Sequence, residues 1–310
     1  VAYMIDGMYV TDPLLGGLAT QINNDAIQEM SLLSGTFNAE YGNALSGVVN
    51  IVTRDGADKF SGKLEVRSSN FGVERYSKLN ELRISGSLEG AIIPNALRFF
   101  LSGEQLNEGS YLPFGYNNAQ SFFTKLTLTA IPQFRLTISN RGSRGLRQSY
   151  NHDYKYIPEQ YLKRRTDSWQ SALTATHTVS QSLFYDIRFS YFNQGFYSGL
   201  DKDTSQYLPV SSRVYQSNAG NGFEFYALAD PTVLTDSRTT TLDFKGDAVW
   251  QINNNNEVKF GAQFKTHNLM LYSIEDPKRN FPYKNNYTTS PFEIATYVQD
   301  KIELAYLVIN

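Results

Sequence analysis

Cysteine is absent from the 310 residues, Trp occurs twice and His three times. The first absence excludes disulfides and thiolate metal sites and assigns no compartment. No run approaches the ~18 consecutive apolar residues of a membrane helix, which leaves open a barrel, whose strands are apolar only at every second position. Lys and Arg number 28 against 30 Asp and Glu, a net charge of −2, so the basic stripe of a nucleic-acid binder is missing. His152, His177 and His267 are far apart, with no carboxylate spacing that suggests a metal set. No Cys-His, Ser-His-Asp or paired-carboxylate arrangement stands out. Neither enzyme chemistry, nor a cofactor, nor a bound metal is therefore expected.

What is plentiful is Tyr (21) and Phe (20). Mean hydropathy is −0.38, that of an ordinary soluble chain. Such aromatic loading suits strands and membrane interfaces better than helical bundles.

The pattern changes near Lys59. Before it the segments are short: "AYMIDGMYV" reads as a hairpin around Asp6-Gly7. Asn24 and Asp25 are placed to cap a helical turn. "SLLSG" is a brief strand ending on Gly35. "VVNIVTR" is apolar on both faces and reads as a buried central strand. Between them, the Tyr41-Gly42 turn and the small residues Ala44, Ser46 and Gly47 let backbone run close to backbone. Residues 1–58 form a small α/β unit.

Residues 59–310 alternate with a period of two. Leu82, Ile84 and Leu88 oppose Arg83, Ser85 and Ser87. Phe134, Leu136 and Ile138 oppose Arg135, Thr137 and Arg141. Tyr185, Ile187, Phe189 and Tyr191 oppose Asp186, Arg188 and Ser190. Phe244, Trp250, Val258, Phe260 and Phe264 continue the apolar side. Strands of about 10 residues, apolar on one face and charged on the other, fit a wall between lipid and a polar lumen. Connections alternate as well. "AIIPNA", "IPQ", "SQS" and "NNNN" are tight. Residues 70–78, 108–120, 145–167, 194–237 and 272–290 read as long loops. Short turns at one end and long loops at the other describe an outer-membrane barrel. The fold class expected is mostly β: an antiparallel up-and-down transmembrane barrel of about ten strands and the start of another, preceded by part of an α/β unit. A ten-stranded barrel has too little lumen to hold that unit, whereas about 22 strands would. The chain opens at Val1 without a leader and ends in "YLVIN", inside a strand, and reads as a fragment.

"MIDGMYV", "AIQEMSLLSGTFNAEYGNALSGVVNIVTR" and "FSGKLEV" resemble the C-terminal half of the plug of TonB-dependent outer-membrane receptors and their first barrel strand. "YLPFGY" and "ATYVQDKIEL" resemble the branch common in Bacteroidota. The resemblance implies a 22-stranded barrel in the bacterial outer membrane, an internal plug and uptake driven by the TonB complex. Asp6 and Gly7 match the family's Asp-Gly turn, Gly35 its strand-closing glycine, Tyr41-Gly42 its Tyr-Gly turn, and Gly47, Asn50 and Thr53 its plug strand. The family's two acids in the preceding strand are replaced by Gln28 and Ser31, with Glu29 displaced by one, so no ion pair from that strand to the wall is expected. The TonB-contacting segment would lie upstream of Val1. Outer-membrane lipid, the TonB complex, an unknown small ligand or oligomer and, for some members, a surface lipoprotein are the partners implied.

Asp201–Gln206 faintly resembles a calcium loop but lacks its sixth-position Gly and twelfth-position acid. Gly142 and Gly145 follow a strand, but no helix opens after them to make a phosphate cradle. The long loops carry aromatics: Tyr111, Phe114 and Tyr116; Tyr197, Phe223, Phe225 and Tyr226; Phe281, Tyr283 and Tyr287. They serve either as girdle and loop-packing residues or as a ligand surface. "DPLLGGLATQ" (Asp12 to Gln21) is a candidate plug loop facing ligand. The function expected is ligand-gated active import. A passive porin-like or adhesin barrel and a soluble all-β carbohydrate-binding protein or enzyme are the competing readings.

Overall fold

The computed structural model describes residues 1–34, 39–42, 47–70, 72, 80–218, 223–304 and 306–309; the side chains of 217, 218, 223 and 308 fall outside it. Gly35, Ala44 and Ser46 lie outside the described residues.

The first sheet contains β1 (Ala2–Ile5), β2 (Met8–Tyr9), β3 (Ile27–Leu33) and β4 (Val48–Thr53), in the order β2-β1-β4-β3. β1 and β2 pair through Ile5 and Met8, and Asp6 (φ 50) and Gly7 (φ 78) both sit in the left-handed region that a two-residue hairpin turn demands. β4 is central as expected, parallel to β1 and antiparallel to β3. It is not buried throughout, because Val52 is exposed. The helical turn is a single 3-10 turn, Asn24–Ala26. Its cap is Asn23 rather than Asn24 or Asp25: the Asn23 Oδ1 accepts the Ala26 N–H at 2.9 Å. The cap must precede the first turn residue, and the turn begins at Asn24 itself.

The second sheet is a meander of long strands: β5 (Ser61–Ser68), β6 (Leu82–Ile93), β7 (Leu97–Gly109), β8 (Tyr116–Leu128), β9 (Phe134–Gln148), β10 (Lys163–Ser180) and β11 (Leu183–Gly199). The hairpin β12 (Val214–Asn218) and β13 (Phe223–Leu228) stands apart. The meander then resumes with β14 (Val233–Asn253), β15 (Asn256–Glu275), β16 (Tyr283–Thr289), β17 (Phe292–Leu304) and β18 (Leu307–Ile309). β16 and β17 pair with the upper and lower parts of β15 on either side of Pro291, which has no N–H for the ladder. Several strands are longer, and the loops shorter, than the alternation predicts. Residues 145–148, 163–167, 194–199, 233–237 and 272–275 are ladder rather than loop, and Gly142 and Gly145 lie inside β9. Their polar side chains hide the period-two signal, while backbone pairing continues regardless of side chain.

Polarity across this sheet is inverted. Lys125, Arg141, Gln170, Asp243, Lys245 and Lys265 are buried on the concave side, while large apolar residues are exposed on the other. Register partners form one continuous outward ribbon: Phe99, Leu126, Ile138, Leu173, Phe189, Phe244, Phe264 and Ile294. The chain's two tryptophans mark the rims of this belt, Trp169 45% and Trp250 46% exposed. Between their levels β11 advances ten residues, from Leu183 to Asn193. At ~3.3 Å per residue and ~40° of tilt that is roughly 25 Å of height, the thickness of a lipid-facing band.

Candidate functional site

The concave face carries most of the wall's buried polar and charged residues, and an apolar contact seats the small unit on it. Phe100 and Phe123, on the charged sides of β7 and β8, are fully buried against Ala26 and Ile22. Below this contact a network of charges joins the two sheets. Asp6, fixed by its turn, accepts the Thr53 N–H at 2.9 Å and the Thr53 hydroxyl at 2.5 Å, tying β1 to β4. The Lys125 ammonium, buried on β8, stands 3.3 Å from the Asp6 Oδ2 that takes the Thr53 hydroxyl, 3.0 Å from Asp55 and 3.3 Å from the Thr53 carbonyl. Asp55 also pairs with Arg135. On another strand Lys63 meets Asp25 at 2.8 Å. Among the described residues, Asp6, Asp55 and Asp25 carry ion pairs between the small unit and the wall. Asp6 is the turn residue the sequence predicted, but its link to Lys125 was not legible, because no spacing rule connects residues so far apart.

Burial pushes the Asp55 carboxyl up, but Lys125 and Arg135 outweigh it and leave it below its ordinary 3.8. For Asp25 burial is likewise overcome, by Lys63 and Ser85. A carboxyl depressed in the folded state adds stability that is present above its unfolded pKa and lost as pH falls through the folded value. Docking of the small unit on the wall is therefore expected to be complete at pH 7 and to weaken below about pH 4. Hydrogen exchange of residues 48–58 across a pH series checks this.

Gly56 makes the hand-over between the sheets. Its φ is +82, and a Cβ there would lie 2.3 Å from the Phe99 carbonyl oxygen. Asp55-Gly56 is a turn dipeptide, a signal available in the sequence and not used. Gly56→Ala is expected to cost about 3 kcal/mol, combining a left-handed residue with a backbone overlap. Gly42→Ala, with nothing within 4 Å, serves as the control. Thermal onset of proteolysis in residues 48–60 reads both.

The Asp12–Gln21 loop is fastened at its base to the upper wall. Gln194 donates to Asp12 at 2.8 Å, Ser168 to Thr20 at 2.8 Å, and the Gln21 N–H to Ser143 at 3.2 Å. Leu15 and Leu18 at its tip are exposed, and Gly16 and Gly17 take positive φ. Nearer the middle, a Cβ on Gly7 would lie 3.2 Å from the Arg188 guanidinium, itself held by Asp186 and Asp247. Tyr41 packs on the Ala2–Met4–Val48 core, and Gly47 runs close to the Leu33 carbonyl, where a Cβ would come within 3.2 Å. Asn50 pairs with Met4 on one side and Ser31 on the other. Two adjoining cavities of about 480 and 400 Å³ share Tyr9, Lys265 and Glu293, with the Lys265 ammonium 4.0 Å from the Tyr9 ring centre.

At the long-loop end, Phe225 of β13 meets Tyr156 and Tyr226 meets Tyr154 and Tyr215, while Tyr161 packs on Tyr154. Ring centres are 5.1 Å apart for Tyr154–Tyr226 and 4.7 Å for Tyr156–Phe225. Phe223 opens the same strand. Arg213 anchors the cluster, bonding buried Asp230 at 3.0 Å and Asp276 at 2.5 Å, while Tyr154 donates to the Asp230 carbonyl. Burial raises the Tyr154 phenol, which stays protonated as donor. The other predicted aromatics do not join. Tyr111 and Phe114 are exposed on the β7–β8 loop. Tyr116 and Tyr197 stand on the outward face, Tyr197 packed on Tyr207, Leu234 and Ile274. Phe281 is 90% exposed; Tyr283 and Tyr287 share the face of their partners Glu275 and Leu271. Tyr154, Tyr156, Tyr161 and Tyr215 were missed because only the hairpin's return brings them together. The acids of the calcium-like stretch serve local turns: Asp203 accepts from the Ser205 N–H and hydroxyl, and Asp201 from the Asp203 N–H.

No family model matches the chain. A 113-residue stretch is 26% identical to the TonB-dependent transporter Oar of Myxococcus xanthus, covering 32% of this chain and 11% of that protein. The structure superposes on the pyoverdine receptor FpvA of Pseudomonas aeruginosa bound to pyoverdine (TM-score 0.72, 10% identity, 98% of this chain and 48% of that one). It also matches the siderophore receptor PirA of Acinetobacter baumannii (0.66, 14%, 98% and 46%) and the unliganded ferric citrate transporter FecA (0.66, 14%, 99% and 45%). These likenesses show the fold, a wall of long antiparallel strands with a small unit against its concave face. The chain spans about half the length of these solved relatives. In this fold the exposed apolar belt lies on the outer side of the wall and the buried charges on its inner side.

Proposed function

We propose that residues 1–58 are the C-terminal part of a plug and residues 59–310 the first part of a barrel wall in an active importer. Extracellular ligand binds the outer loops and the plug apex at Leu14–Leu18. The plug then relays occupancy toward the periplasm, where TonB pulls on a segment N-terminal to this chain by strand addition. The observation that carries the reading is the lock between plug and wall: Lys125 held between Asp6 and Asp55 beneath the Phe100–Phe123 contact. A passive channel has no use for a charged lock beneath a ligand-facing loop. Because force comes from outside the chain, no catalytic step enters the mechanism.

The test is uptake by cells carrying the full-length protein, with the ligand identified by mass spectrometry of purified receptor. Uptake should stop when TonB is deleted or the proton-motive force is collapsed, while binding persists. Unchanged uptake in the TonB-deleted strain would establish the porin-like reading instead.

A further inference from the structure

Above the belt, the outward face of the wall carries a cationic cleft that import does not use. Arg144, Asp167, Gly195 and Arg238 are register partners on one outward rung. Arg165, Tyr197 and Asp236 form the next rung up. Together with Lys202 they line a cavity of about 530 Å³. Gly195 is its floor, since a Cβ there would come 2.8 Å from the Asp167 carboxylate. Lys202 pairs with Asp236 at 2.6 Å. Arg144, Arg165 and Arg238 have no hydrogen-bond or ionic partner among the described residues. Four cations against two carboxylates give the cleft a net charge of +2.

One rung nearer the belt, Phe122, Gly142, Trp169 and Asn193 line a second cavity of about 440 Å³, which shares Arg144 and Asp167 with the first. The Phe122 ring fills the space left by Gly142, where a Cβ would come 2.4 Å from a ring carbon, and the Trp169 ring centre is 5.3 Å from its own. An apolar notch open to lipid therefore runs directly into a cluster of unpaired guanidinium groups. Trp169 sits at the upper rim, and the arginine rungs lie two and four residues beyond it, roughly 7–13 Å further along the strand, at headgroup depth. Guanidinium forks match phosphate oxygens bidentately, and an acyl chain fits the notch below.

We propose that this cleft is a binding site for a phosphorylated lipid of the outer leaflet, its phosphate on Arg144, Arg165 and Arg238 and its acyl chain along Phe122 and Trp169. The inference rests on the barrel orientation given above, with the long loops outside, and is independent of what is imported.

The experiment is native mass spectrometry of the full-length receptor released from nanodiscs containing diphosphorylated lipid A or its dephosphorylated form. Wild type is expected to retain the phosphorylated lipid at least tenfold more, and R144Q/R165Q/R238Q to lose that preference. Asp167→Asn removes a competing carboxylate and should raise retention about threefold, a gain that misfolding could not imitate. Equal retention of both lipids by wild type would overturn the proposal. So would wild-type retention by the triple variant, or displacement by millimolar inorganic phosphate, which would make the cleft a free-anion site. TonB-dependent uptake, measured in parallel, distinguishes failure of the lipid site from failure of the import reading.

Discussion

Lys125→Met is expected to undock the plug while leaving the barrel folded. The ammonium is 6% exposed and stands between two carboxylates that are only about a quarter exposed, Asp6 at 22% and Asp55 at 28%. Removing it leaves both acids facing an apolar side chain, with Arg135 still on Asp55 but no contact ion pair on Asp6, which keeps only the longer-range attraction of Arg141. Breaking a fully buried pair costs about 3–5 kcal/mol, and partial exposure of the acids puts the loss here at about 3 kcal/mol. Hydrogen exchange of residues 2–9 and 48–56 should accelerate by roughly a hundredfold, while amides in β9–β11 keep their protection. Cells should also become permeable to solutes that the closed lumen excludes. Double substitution with Asp55→Asn would recover part of the loss, because it removes one of the stranded charges. Unaltered exchange in Lys125→Met would mean that Phe100, Phe123 and the Lys63–Asp25 pair hold the plug without this lock.

The second large effect is expected at Arg213. Asp230 is fully buried in the outer loop cluster, and its carboxylate takes the Arg213 guanidinium on one oxygen and the Leu208 N–H, at 2.6 Å, on the other. Burial alone would lower the Arg213 pKa, but Asp276 and Asp230 outweigh it and raise it, so the cation is present at any physiological pH. Arg213→Ala would leave Asp230 buried and half satisfied, at a cost of about 3–5 kcal/mol to loop order. Limited proteolysis should then cut residues 200–232, and extracellular ligand should bind more weakly, by tenfold or more, with the barrel intact. Arg213→Lys restores charge without the two-pronged geometry and should recover only part of the order. If ligand affinity is unchanged while the loop is cut, the Tyr154–Tyr226 cluster is packing rather than a contact surface.

The Asp6-Gly7 turn was legible because only a two-residue left-handed turn joins two such short apolar runs. The wall was legible because lipid outside and water inside force alternation at every strand, from Leu82 to Phe264. The belt ribbon therefore follows from period alone, as does the sorting of short turns from long loops. Where polar residues replaced apolar ones above the belt, that signal stopped. The extra rungs at Asp167, Arg165 and Asp236 were read as loop, although the backbone ladder runs straight through them.

The aromatic loops show the opposite limit. Phe225 and Tyr226 could be picked out as candidates, but their partners Tyr154 and Tyr156 come from a different loop, and Tyr197 proves to face outward. Pairings of this kind depend on how a connection folds back, which composition does not encode. Sequence by itself determined that this chain builds a two-faced membrane wall preceded by a compact glycine-turned unit. Only the tertiary structure decided where the two meet. The meeting point depends on Phe100, Phe123 and Lys125 breaking or occupying the lumen face, and each of these finds its partner across dozens of residues of chain.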